Sequence, residues 1–305
     1  MLKKHRGELY LILGALAFSV NGIFSTVVLE EMSAFRLAQI RSIVAFTLLA
    51  VFALIFRRDL LRLSRKDLPL AAAYGVVGFA LVNVGYFIGI ERKLPLGLVL
   101  VIEFTAAIWI ALWIKYVRRG FVAREMWFAI ALSLAGLVLV TKIWDGFKFD
   151  TLGLLGALGS AFALTAYFLM GDKFGANRHP LSSTIIGLGF AAAFWVVVLP
   201  LWNYPTEIFT IQMDLRGYLD GELLPGWILL LWIITMGTIL PYILVISGLR
   251  ILSASKSSVI GMVEPVLAGA LAWIWLGQSW DVIQLVGAAV VLIGIYLADR
   301  SKTSR

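Results

Sequence analysis

The sequence predicts an all-α integral membrane protein whose ten transmembrane helices form a 5+5 inverted repeat. The first reason is composition: of 305 residues, 61% are hydrophobic and 14% charged, with a mean hydropathy of +0.94. Soluble domains carry about 25% charged residues. The second is that ten apolar runs of membrane-crossing length follow one another with mostly short connections. The third is an echo between the two halves of the chain.

Taken in order, the runs cover 9–29, 34–56, 69–90, 95–116, 124–142, 152–171, 180–202, 225–249, 256–276 and 281–298. The first begins at Leu9, has transmembrane length and lacks a cleavage site, so it reads as a span and not as a removed signal peptide. It carries Asn21. The second carries Arg41, the only basic residue inside a span; its planar fork suits a substrate carboxylate, a pairing with an intramembrane Glu, or an outward snorkel. The third holds Asn83, with Tyr86 one turn on and Gly85 and Gly89 forming a small face.

The fourth run, LPLGLVLVIEFTAAIWIALW (Leu94–Trp113), has Pro95 placed as a first helical residue and Lys115 closing it. Its one ionisable group, Glu103, falls near the bilayer centre. There a carboxylate costs at least about 2.5–3.5 kcal/mol and calls for a partner, a proton or a water-filled cavity. Trp109 lies below it on the same span. The sixth run holds Tyr167. The eighth has Tyr242 after Pro241, which removes a backbone donor and exposes the carbonyl of Gly237. The ninth places Ser257, Gly261, Glu264 and Ala268 at helical spacing, with Pro265 disturbing the carbonyl of Gly261. Trp127, Trp144, Trp202, Trp227 and Trp280 sit near span ends, where an interfacial belt accounts for them. The polar stretch 203–224, between runs seven and eight, reads as a lid or as a passive connection.

Orientation follows from the basic residues. With the amino terminus inside, cytoplasmic segments hold 19 Lys and Arg and the outside loops 6, which puts both termini in the cytoplasm. The net charge of +8 is explained by this asymmetry and needs no nucleic-acid partner.

Five spans per half means that equivalent spans cross in opposite directions. GELYLILGALAF from Gly7 is echoed by GLLGALGSAFAL from Gly153, and GIERKLPLGLVLVIEF before Glu103 by GLRILSASKSSVIGMVEP before Glu264. Gly89 and Gly248 end one span in each copy, and Arg92 and Arg250 follow in the basic links. The expected organisation is a first repeat over 1–141, an extracytoplasmic linker over 142–151, a second repeat over 152–299 and a cytoplasmic tail over 300–305. Inverted repeats place a substrate site near the bilayer midplane between the halves.

These motifs resemble the ten-helix EamA-type branch of the drug/metabolite transporter superfamily over both halves. LRILSASKSSVIGMVEPVLAGALAWIWLGQ (Leu249–Gln278) is similar to that family's second-half signature of small residues, Glu-Pro and a terminal Leu-Gly-Glu, with Gln278 in place of the last Glu. IERKLPLGLVLVIEF resembles the threonine/homoserine exporter-like group, in which a Gly-Pro follows where this chain has Thr105-Ala106-Ala107. The resemblance implies a secondary transporter that exports amino acids or other small metabolites, with multidrug efflux as the alternative cargo class. Glu103 and Glu264 are then the first pathway candidates, either binding a substrate amine or exchanging protons. Arg41, Asn21, Asn83, Tyr86, Tyr167, Tyr242 and Trp109 join them, each with a helix-packing role as the competing account.

Other classes fit poorly. The chain has no cysteine and two histidines, His5 and His179, neither in an HExxH motif nor in a ligand cluster. It also lacks a glycine-rich phosphate loop, so no ATP site and no cofactor is expected. A receptor or structural bundle would gain little from polar groups on so many spans.

Overall fold

The structure is a computed structural model that describes residues 2–145, 150–215, 217–276 and 280–301; Gln278 falls outside them. Among the described residues ten helices are long and apolar enough to cross a membrane: α1 His5–Glu31, α2 Ala34–Phe56, α3 Arg65–Glu91, α4 Leu96–Val117, α5 Arg124–Thr141, α6 Thr151–Gly175, α7 Pro180–Val198, α8 Gly226–Ile251, α9 Ala254–Trp275 and α10 Val282–Arg300. Each expected span is present. Side-chain caps set several starts: Ser33 accepts from the Arg36 amide, Asp150 from Gly153, Ser253 from Lys256, and Asp281 with Gln284 forms a capping box. Pro95 precedes the first helical residue, Leu96, and is the cap residue of α4.

Three helices contain a π turn: Val76–Leu81 in α3, Trp113–Val117 in α4 and Thr235–Ile239 in α8. Each inserts an extra residue into the helical ladder and leaves carbonyls unbonded along the helix. Two helices are also interrupted beside their glutamates, α4 a second time at Thr105 and α9 at Met262. The α9 interruption thus lies three residues before Pro265.

The packing displays the inverted repeat. Helix α1 lies along α8, and α3 lies along α6; α2 packs on α7 and α5 on α10. Exchanging the halves maps each pairing onto another or onto itself. The register that aligns Gly7 with Gly153 aligns Asn21 with Tyr167, and the register that aligns Gly89 with Gly248 aligns Gly78 with Gly237. A Cβ at Gly78 would meet the Tyr167 side chain at 3.1 Å, and one at Gly237 would meet Asn21 Oδ1 at 2.3 Å. The same contact therefore occurs twice, once from each half. The α5–α10 pair is the most extensive, and it is close: a Cβ at Gly136 would lie 2.8 Å from the Gly287 carbonyl, and one at Gly294 would lie 2.9 Å from the Ala129 carbonyl.

The stretch between α7 and α8 is more than a strand of connecting chain. It folds into a short antiparallel hairpin, β1 Gln212–Asp214 with β2 Leu223–Pro225. Ile208 and Met213 are buried, and Trp275 Nε1 donates to the Leu215 carbonyl at 3.3 Å. Beneath it, Phe24 packs against Trp232 and Trp275. The end of the bundle opposite the termini is thereby covered. A side-chain clamp on α2 reinforces it. Gln39 Nε2 donates to the Leu199 and Trp195 carbonyls at 2.7 and 3.3 Å, and Arg36 donates to the Pro200 and Asn203 carbonyls at 2.9 and 3.1 Å. At the other end, Ser182 donates to the Leu60 carbonyl and Arg178 to the Arg62 carbonyl.

Candidate functional site

A cavity of about 90 Å³ lies between the two halves, with room for several water molecules. Helices α1, α2, α3, α4, α6, α8 and α9 line it, and no lining residue comes from α5, α7 or α10. Asn21, Arg41, Asn83, Tyr86, Glu103, Tyr167, Tyr242 and Glu264 all face it. Trp109 does not. It is 38% exposed on the outside of α4, packed against Phe162, because the helical turn that points Glu103 inward leaves residue 109 on the other side.

Glu103 is buried, and its Oε1 is 2.6 Å from the Ser160 hydroxyl, which also reaches the Val82 carbonyl at 3.0 Å. Ser160 reaches Glu103 because Gly85 on α3 lets α6 approach: a Cβ there would be 2.7 Å from the Gly156 carbonyl. Glu264 is half-buried, and its carboxyl makes no hydrogen bond among the described residues. Its backbone carbonyl is held by the Ser19 hydroxyl at 2.8 Å.

Arg41 does not pair with either Glu among the described residues, contrary to one of the partnerships open to it in the sequence. Its Nε donates to Thr238 Oγ1 at 2.8 Å and its Nη2 to the Gly237 carbonyl at 2.9 Å, with the Phe87 ring centroid 4.9 Å away. The Gly237 carbonyl is free because Pro241, four residues on, has no N–H to offer it. The exposure of that carbonyl was legible; its taker was not. The helix nevertheless continues through Pro241, with the extra residue absorbed in the π turn before it.

Asn83 donates to the Tyr242 hydroxyl at 2.7 Å. These two residues occupy equivalent positions in the two repeats, so this bond joins the halves across their pseudo-two-fold axis. Tyr242 also contacts the rings of Phe18, Phe79 and Tyr167, and Tyr74 stacks on Tyr167, which makes one wall of the cavity aromatic. Asn21 Oδ1 and Ser257 Oγ are buried in the lining without a hydrogen-bond partner among the described residues. Ser160 and Thr238 went unremarked in the sequence. The faint signal for Ser160 was its place in the repeated segment, opposite Gly14.

The arrangement offers one guanidinium, two carboxyls, amides and hydroxyls within an apolar, aromatic-walled chamber. It has the composition of a site for a small polar molecule: few polar groups on a largely apolar lining.

Similarity to known proteins agrees with this architecture. The model of the EamA-like transporter family matches residues 5–142 and again 151–298, one match for each half. The uncharacterized transporter YdfC of Bacillus subtilis (strain 168) is 23% identical over 285 residues, 93% of this chain and 87% of that protein. The uncharacterized inner membrane transporter YicL of Salmonella typhimurium is 22% identical, covering 98% and 97% of the two chains. The threonine/homoserine exporter RhtA of Escherichia coli (strain K12) is 27% identical over 76% of this chain and 71% of its own. One solved structure, described only as a crystal structure of a protein, superposes with a TM-score of 0.73 at 15% identity, over 97% of this chain and 96% of the other. With its two matched halves, ten helices of membrane-crossing length and a cavity between the halves, the chain belongs to the EamA-like transporter family.

Proposed function

We propose that this transporter is a secondary carrier exporting small metabolites, amino acids foremost, across the cytoplasmic membrane, with both termini in the cytoplasm. The observation that carries the reading is the chamber itself, in which Arg41, Glu103 and Glu264 line one cavity between inverted halves. Both charge signs are on offer there, as a zwitterion requires. The relation to a threonine/homoserine exporter supports the cargo class, and the 19 to 6 distribution of basic residues supports the orientation. The named inner membrane transporter among the relatives supports the membrane.

In this reading the repeats 1–141 and 152–299 rock against each other about the linker, and the chamber opens to one side at a time. The hairpin and the α2 clamp close the outer side. The site residues act together: Asn21, Asn83, Tyr86, Tyr167 and Tyr242 shape the chamber, and Glu103 or Glu264 carries the amine or a proton. The aromatic wall favours a second reading, efflux of an organic cation held by the carboxyls.

Counterflow into proteoliposomes preloaded with a panel of amino acids, run with and without a pH gradient, tests both. Selective exchange of amino acids supports the first reading. Exchange of organic cations alone would replace it with the second. Net flux driven by the gradient assigns proton coupling.

A further inference from the structure

Arg41 is 2% exposed inside a membrane-spanning helix, where an unpaired cation is costly to hold. It forms no ion pair among the described residues, although two carboxyls line the same chamber. Two of its five N–H donors rest on the π turn of α8, at Gly237 and Thr238. The rest of the fork is left for a bidentate acceptor, the geometry in which a guanidinium binds a carboxylate. The acidic partner is equally open: Glu264 makes no side-chain hydrogen bond among the described residues, whereas Glu103 is held by Ser160. Ser257 Oγ, two turns before Glu264 on the same helix face, is an unused buried oxygen, and so is Asn21 Oδ1, which abuts Gly237 beside the guanidinium.

From this geometry we infer that Arg41 is the specificity-determining anchor for a free carboxylate, with the substrate's ammonium taken by Glu264, so that α-amino acids are selected over their amides and over simple amines. The inference rests on the carrier reading above. The guanidinium and the unbonded carboxyl are complementary to a ligand that carries both a carboxylate and an amine, and a ligand lacking the carboxylate leaves the buried guanidinium without a counter-ion. A site built to bond a group rejects an analogue without it strongly, because its own polar atoms are then left unpaired.

The experiment is counterflow in proteoliposomes with the twenty protein amino acids as the first panel, followed by the carboxamide and the decarboxylated amine of one that exchanges. In the wild type the amide and the amine compete at least tenfold more weakly than the acid. Arg41→Gln removes that discrimination by weakening the acid, and Arg41→Lys restores part of it, having the charge without the fork. Should Arg41→Gln fail to fold, the wild-type comparison of acid and amide and the Arg41→Lys variant still decide. An amide that competes as well as its acid overturns the anchor while leaving the carrier reading intact. Failure of every amino acid to exchange overturns the cargo reading and the anchor with it.

Discussion

Replacing Gln39 by Leu tests whether the α2 clamp holds the hairpin end of the transporter shut. Gln39 is fully buried and makes two of the four hydrogen bonds that tie α2 to the end of α7 and the chain just beyond it. It also accepts from Arg36 Nη1 at 2.9 Å, which orients that side chain toward the Pro200 and Asn203 carbonyls. Buried hydrogen bonds contribute about 0.5–1.5 kcal/mol each net, and those to charged groups about 1.5–3. On opening, the freed carbonyls at the membrane edge find water, so the lower half of the range applies, about 0.7 kcal/mol each and about 1.4 kcal/mol for the pair, or tenfold in the open-to-closed ratio. The chain has no cysteine, so a single Val82→Cys in the chamber lining reports access cleanly. Its labelling by a membrane-impermeant maleimide from the hairpin side rises about tenfold in Gln39→Leu, by the same conversion. Unchanged labelling in a folded protein refutes the clamp as a gate and leaves Gln39 as helix packing.

Three further outcomes are expected. Glu103→Gln lowers amino-acid exchange more than tenfold with folding intact, and Ser160→Ala, which removes the hydroxyl shared by Glu103 and the Val82 carbonyl, lowers it by less, about threefold at the roughly 0.6 kcal/mol of an average intramembrane hydrogen bond; equal losses would show that the serine is as essential as the carboxyl. Gly136→Ala drives a Cβ to 2.7 Å from the Val291 amide and destabilises the α5–α10 pair by about 1–3 kcal/mol. Gly159→Ala, whose Cβ would meet nothing within 4 Å, is neutral or stabilising by about 0.4–1 kcal/mol; thermal unfolding in detergent separates the two. For orientation, cysteines at Ser64 and at Asp220 are labelled from opposite faces of intact cells, Asp220→Cys directly and Ser64→Cys only after permeabilisation.

What was legible in the sequence follows from what a membrane demands. A span must be a long apolar run, so all ten could be read, and a carboxyl within such a run needs a polar setting, so Glu103 and Glu264 could be marked. The π turns could not. One extra residue in a helix changes neither composition nor length appreciably, and its sign is geometric. Arg41 could be marked but its partner could not, because the acceptors are a backbone carbonyl and a hydroxyl on a helix some two hundred residues away in sequence, and any residue has a carbonyl. The hairpin at the end opposite the termini was hidden for another reason. Ile208, Met213 and Leu215 are spread singly through a polar stretch, and only a tertiary surface makes them a core. Trp109 shows the limit of proximity: it lies close to Glu103 along the helix, but the helical angle turns it outward onto Phe162, the packing role that competed with a pathway one.

The two-fold relation of the halves is broken where it matters to a passenger. The repeat that equates Asn83 with Tyr242 also equates Asn21 with Tyr167 and Tyr86 with Val245, and all six face the chamber. A carrier with identical halves would present the same chemistry to both compartments, with the same half-saturating concentration on each face. Here, inverting the halves trades an amide for a phenol and a phenol for an isopropyl group. Detailed balance forbids such a difference from driving net flow by itself. It does set unequal occupancy at the two faces, so that one side of the membrane saturates the carrier at a lower cargo concentration than the other.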